Sequence, residues 1–243
     1  MWKSALRSEW ARFFSYHWCI WGMIGAILLP PVALLISENN FGGIKLQEED
    51  VVALCLRFLY LGQAGIVVAM AGFLGQEYTH SSLRTTLLTV PSRMRLFLTK
   101  KLVVVSSTII AGILSSILCF IVIIAKYQYV FANDVLTKFI TAVSLAIISW
   151  IVLGCISASL SIITKSLIVP IAVLFPMIIG GSQMLLAVTE VAKYLPDLAG
   201  MNLFLIPEQK TFLALGLGVT IQLIWVISLE CTSAYVFLRR DIR

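Results

Sequence analysis

Residue types that do chemistry are few in this chain, and their spacing rules out most of it. The two histidines, His17 and His80, stand far apart at the edges of apolar runs, so no HExxH pair can hold zinc on one helical face. There is no GxxxxGK[ST] stretch to cradle a nucleotide phosphate and no GxSxG elbow to expose a serine nucleophile. Cys19, Cys55, Cys119, Cys155 and Cys231 sit singly in apolar runs without a CxxC pair. They read as small buried hydrophobes, and no metal is expected. What remains is charge. Arg57 and Glu230 fall inside apolar runs, Glu77 closes one, and Arg84, Arg93, Arg95, Lys100 and Lys101 crowd the connection from Gly75 to Leu102. Ion-coupled transport usually wants carboxylates or histidine near the membrane midplane. Here Arg57 can snorkel outward toward Asp50, about two turns away. Glu230 reads as the partner of a neighbouring helix rather than a proton relay.

The elements that position these charges follow from composition. Of 243 residues, 60% are hydrophobic and 12% charged, with a mean hydropathy of +0.98, far outside the range of soluble domains. Runs of about 20 apolar residues cross the hydrocarbon as helices. Six are legible: Trp18–Ile36, Val51–Leu74, Leu102–Ala125, Phe139–Ile163, Leu167–Val188 and Phe212–Leu238. The expected fold is an all-α polytopic membrane protein, since the alternating segments of a barrel are not visible. Most of the 18 lysines and arginines fall on one side when the N-terminus is placed inside, so both termini are expected in the cytoplasm. The net charge of +6 then reflects topology and anionic lipid headgroups, not nucleic acid.

Three segments lie outside the spans. Residues 1–14 place Trp2, Leu6, Trp10 and Phe13 on one helical face with Lys3, Ser4 and Arg7 on another. This is an interfacial helix rather than a cleaved signal, serving equally well as anchor or as coupling element. Residues 76–101 form a cytoplasmic segment in which Tyr78 to Val90 has helical spacing and Pro91 ends it. Residues 189–210, apolar with Pro196, Gly200 and Pro207, are long enough to dip into the membrane and return. The fifth run is broken by Pro170, Pro176 and Gly180-Gly181. Such a break faces a neighbour or a cavity, or is a kink for packing alone.

Read in order, several short stretches resemble one family. Glu77, Ser82-Leu83-Arg84, Leu87-Leu88, Pro91-Ser92-Arg93 and Lys100-Lys101-Leu102 are similar to the pattern after the second span of ABC-2 type permeases, the membrane subunits of bacterial ABC exporters. Ser8-Glu9-Trp10, Tyr194-Leu195-Pro196-Asp197 and the ending Phe237-Leu238-Arg239-Arg240-Asp241-Ile242 resemble the family's entry, its outer segment and its terminus. One departure is Ser81 or Ser82 where the family often has glycine.

The resemblance implies a plasma-membrane permease that pairs with a second copy or paralogue and docks on a separate cytoplasmic ATPase, which alone binds ATP and Mg. Docking would use Glu77, Tyr78, Ser82, Arg84, Leu87, Leu88, Pro91 and Arg93. Glu77, too costly to leave unpaired, is expected to meet Arg12 or, after it, Arg7. Where the second and fifth spans meet across the two-fold axis, Tyr60, Gln63, Phe175, Met177, Gln183 and Met184 would line the pathway, or else simply pack the core. Compact permeases of this kind resemble peptide-antibiotic immunity and lantibiotic-type systems. A hydrophobic or amphipathic peptide is the first expected substrate and a small hydrophobic drug the second. Two other classes compete: the substrate-binding membrane component of an importer, and a membrane protein that transports nothing.

Overall fold

The computed structural model describes residues 2–37, 48–79, 92–127 and 133–239, and these contain helices and no strand. Helix α1 (Trp2–Ser15) buries Ala5, Glu9 and Phe13. It stops at Tyr16, whose extended backbone (φ −91°, ψ 121°) redirects the chain into α2 (His17–Ile36). Then follow α3 (Glu48–Thr79), α4 (Arg93–Tyr127), α5 (Asn133–Thr164) and α6 (Ile168–Pro176). A π turn (Met177–Gly181) joins α6 to α7 (Ser182–Val188), and α8 (Pro196–Ala199) and α9 (Leu215–Arg239) complete the chain. Six stretches are long and apolar enough to cross a membrane: His17–Ile36, Val51–Tyr78, Arg93–Lys126, Leu136–Thr164, Ile168–Val188 and Leu215–Arg239. They match the six apolar runs, and the chain is a multi-pass helical membrane protein by length and composition.

Helix α3 is the hub. In its most apolar window 61% of the residues are buried, against 17% for the fifth and sixth spans, so α3 has neighbours on nearly every side while the last spans keep one packed face. Cys55, Ile66, Val67, Met70 and Phe73 are fully enclosed. Helix α5 leans on it through polar contacts: the Trp150 indole N–H donates to the Leu59 carbonyl (3.2 Å) and the Ser157 hydroxyl to the Val67 carbonyl (2.8 Å). These carbonyls also serve the α3 ladder, and a carbonyl oxygen has a second lone pair to offer. In a membrane each such bond contributes about 0.6 kcal/mol. Lys126, at the end of α4, caps the last turn of α2 by donating to the carbonyls of Leu34, Leu35 and Ser37 (3.1, 3.0 and 2.6 Å), where the helix dipole favours a cation.

The third span begins earlier than its apolar run. Helix α4 starts at Arg93 rather than at Leu102. The Ser92 hydroxyl accepts from the Arg95 N–H (3.4 Å) and the Ser92 carbonyl from the Leu96 N–H (3.1 Å), an N-cap with good helix formers behind it. Arg93, Arg95, Lys100 and Lys101 are therefore helical, not part of a polar connection. Residues 80–91, with Ser82, Arg84, Leu87, Leu88 and Pro91, lie outside the described residues, as do Arg240 to Ile242.

The fifth span is broken where the glycine pair stands. Gly180 adopts φ 125°, a conformation that L side chains rarely take, with nothing near the place of a Cβ. After α7 the chain does not span again at once. A 3₁₀ turn (Glu190–Tyr194), α8 and a second 3₁₀ turn (Met201–Leu203) follow in close succession. Asn202 fastens the next loop, donating to the carbonyls of Gln209 and Leu213 (3.1 and 2.9 Å) and accepting from the Gln209 N–H (3.1 Å).

Candidate functional site

Among the described residues, the strongest concentration of charge lies where α1 runs into α2, α3 ends and α4 begins. Glu9 and Glu77 are each 1% exposed, as is Lys100 between them. The Lys100 ammonium donates to Glu9 Oε2 at 2.7 Å and to Glu77 Oε1. Arg12 closes the group, 3.1 Å from Glu9 and 3.9 Å from Glu77. Two carboxylates and two cations balance, which is what lets four charges leave water together. Aromatic rings seal the site: Lys100 lies 5.2 Å from the Phe73 ring centre, and Phe73 meets Phe13 edge-on at 5.3 Å.

The expected pairing of Glu77 with Arg12 is present at its edge, but Lys100 is the nearer partner. Arg7 is exposed on α1. Lys100 sits two turns into α4, on the face turned to α1 and α3, because the helix starts at Arg93. Glu9, read only as part of a family-like entry, is the fourth member. The signal that could have found the pair is an acidic residue on the apolar face of an amphipathic helix.

A second polar group ties α4, α5 and α9. Lys101 contacts Glu230 at 2.6 Å and donates to the Ser159 hydroxyl at 2.9 Å, and Ser159 donates to Glu230 (2.9 Å). Glu230 is thus the partner of a neighbouring helix. Its side chain is 26% exposed and that of Lys101 12%, so water still reaches the pair. Changing Glu230 to Gln keeps an acceptor for both donors and is expected to cost about 1–2 kcal/mol. Thermal unfolding in one detergent at two salt concentrations checks this, with the deficit shrinking as salt rises.

Arg93 donates to the Leu238 carbonyl at 3.2 Å, near the C-terminus of α9, and Arg95 lies 5.9 Å from the Trp2 ring. The basic residues of α4 are thus engaged with their own chain. A long cation at a helix mouth finds carboxylates, carbonyl ends and aromatic faces close by. Tyr78 is half-buried on α3. Arg57 is exposed on α3, and the side chain of Asp50 lies outside those described. Cys231 is exposed, contrary to the buried role expected of it, because α9 packs through one face only; Cys19, Cys55 and Cys119 are buried.

The break in the fifth span opens onto a groove of about 820 Å³ lined by Phe175, Ile179, Gly180, Gln183 and Met184. Phe175, Gln183 and Met184 were expected on a pathway and meet at this groove. Met177 is half-buried and packs against the core. Tyr60 and Gln63 are 5% and 1% exposed, inside the bundle, as the core-packing alternative has them. The Tyr60 ring meets Phe204 edge-on at 5.5 Å, and Gln63 donates to the Ser149 hydroxyl at 3.2 Å. A polar side chain halfway along a span needs such a partner, and α5 supplies it from within the chain.

No protein-family model, no curated protein and no solved structure matches the chain. Function must be argued from its residues.

Proposed function

We propose that the chain is the permease subunit of an ATP-driven exporter, with both termini in the cytoplasm and a hydrophobic or amphipathic peptide as its substrate. The observation that carries this reading is the buried group Glu9, Arg12, Glu77 and Lys100. It clamps α1, the end of α3 and the start of α4 at the root of the 80–91 connection, so that a force applied there is passed to three helices at once. A separate ATPase needs such a base, and the sequence offers no nucleotide loop of its own. The amphipathic α1 then lies in the inner interface, and residues 189–210 form a re-entrant element on the outer side.

The broken fifth span supports a paired assembly. A π turn and a left-handed glycine interrupt its ladder, and Gln183 is exposed beside them. Such backbone is tolerated at membrane depth only against protein or a water-filled cavity. A second copy facing this groove supplies both, and Phe175 and Met184 give it the adaptable apolar lining that varied peptides require.

Mild-detergent purification of the tagged chain from its native membrane is expected to recover a soluble ATPase with a Walker motif. Changing Leu87 and Leu88 together to Asp is expected to reduce that recovery at least tenfold, with thermal unfolding of the permease unchanged. Undiminished recovery would remove the docking assignment, and the absence of any ATPase would remove the transporter reading itself.

A further inference from the structure

A buried polar group away from the charged clamp is left over by that reading. It gathers where the 182–204 segment meets α3, α5 and α9. Gln63 and Gln222 both donate to the Ser149 hydroxyl (3.2 Å each), and Gln222 also donates to the Pro196 carbonyl (2.9 Å). The next residue, Asp197, is 2% exposed. Its Oδ1, the Tyr60 hydroxyl and Gln63 Oε1 are buried without a hydrogen-bond partner, although Tyr60 faces the carboxyl. Tyr60 and Gln63 are one turn apart on the same face of α3. Tyr60 is also nine residues inside the span that begins at Val51, roughly 13 Å along the helix.

Hydrogen counting shows how thinly a charged carboxyl would be served. The Ser182 hydroxyl lies 2.8 Å from the Met177 carbonyl and in contact with Asp197 Oδ2. A hydroxyl carries one hydrogen and a carbonyl none. Ser182 therefore shares its one hydrogen between the Met177 carbonyl and Asp197 Oδ2, and Asp197 receives less than one full hydrogen bond from it. Among the described residues no cation pairs with Asp197: Arg57, one turn before Tyr60 on α3, is exposed. On the neighbouring 3₁₀ turn Lys193 pairs with Glu190 at 3.3 Å. On α9 the charged side chains described are engaged well along the helix, Glu230 with Lys101 and Arg239 with Tyr235, and its outer half, α7 and the 201–203 turn carry no ionisable side chain.

We propose that Asp197 is a proton-binding site whose neutral form latches the 182–204 segment onto the helix bundle. Loss of the proton to outside water leaves the O–H electron pair on Oδ2 and a buried anion with no cation among the described residues to pair with it, and the latch opens. Burial pushes the Asp197 carboxyl above its ordinary range, against the opposing pull of Ser182, the nearby backbone N–H groups and Tyr60. The sign follows: the closed form binds more protons than the open one. The stability of the latch is full below the ordinary carboxylate pKa, falls as pH rises from there, and levels off above the raised one. This inference does not depend on an ATPase or on transport.

Hydrogen–deuterium exchange of the full chain in lipid nanodiscs tests it, with rates corrected for the chemical effect of pH. Between pH 4 and pH 9, protection of residues 196–204 is expected to fall at least tenfold. Asp197→Asn, which imitates the neutral acid, is expected to stay protected at every pH. A flat profile in the unaltered chain, or an Asp197→Asn chain that is open or unfolded at low pH, would each overturn the proposal.

Discussion

Lys100→Met is expected to be among the most damaging single changes in the chain, costing roughly 3–5 kcal/mol of stability. The ammonium is the cation shared by Glu9 and Glu77, and all three are 1% exposed. Methionine matches the length of the lysine stem but leaves two buried carboxylates facing one guanidinium, which is held at the edge with its side chain 29% exposed. The measurement is thermal unfolding in a fixed detergent, read beside the yield of monodisperse protein. The cause is separable from lost packing. Adding Glu77→Gln to Lys100→Met leaves Glu9 with Arg12 at 3.1 Å, one charge of each sign, and is expected to recover a large share of the loss. A double variant no more stable than Lys100→Met alone would show that charge balance is not what the clamp provides.

The clamp also marks where sequence reading stops. Six spans were legible because a run of apolar residues long enough to cross the hydrocarbon has few other uses, and five of the six run boundaries at the start of a span fall within a few residues of the helices. The third did not, because hydropathy sees Lys100 and Lys101 as the end of an apolar run, whereas a helix continues through any residue that its neighbours can satisfy. Glu77 was legible as needing a cation, and Arg12 was in reach by the amphipathic spacing of α1. That Lys100 is the nearer partner depends on the register of α4 against α1 and α3, which no local pattern encodes. The fifth-span break was legible at Gly180-Gly181 because only glycine takes φ 125° without strain. For Tyr60 and Gln63 the sequence left pathway lining and core packing open, because their direction follows from the rotation of α3, which turns them toward Phe204 and Ser149.

Gly65→Val is the other change expected to have a large effect, and it acts through shape alone. Small residues recur four apart on both α2 and α3, Gly22 with Ala26 and Gly65 with Ala69, the spacing that lets two membrane helices approach closely. In the structure they face each other. A Cβ on Gly65 would stand 2.2 Å from the Ala26 backbone nitrogen, and one on Gly22 would stand 2.4 Å from the Ala69 backbone nitrogen. Backbone cannot swing aside as a side chain can, so the helices must separate. Separation would withdraw contacts along α2 and disturb α3, where Ile66, Val67 and Met70 are fully enclosed. Overpacking of a tight contact costs about 1–3 kcal/mol, and more where backbone must move. Gly65→Ala already drives its Cβ into backbone and is expected to lie at the upper end, with Gly65→Val well beyond it. Gly25 provides the control: a Cβ there would come no closer than 4.0 Å, to the Gly65 Cα, so Gly25→Ala is expected to leave the unfolding temperature nearly unchanged. The three variants unfolded side by side in one detergent check the order, and a Gly65→Val protein as stable as Gly25→Ala would mean that the close approach of α2 and α3 contributes nothing to the fold.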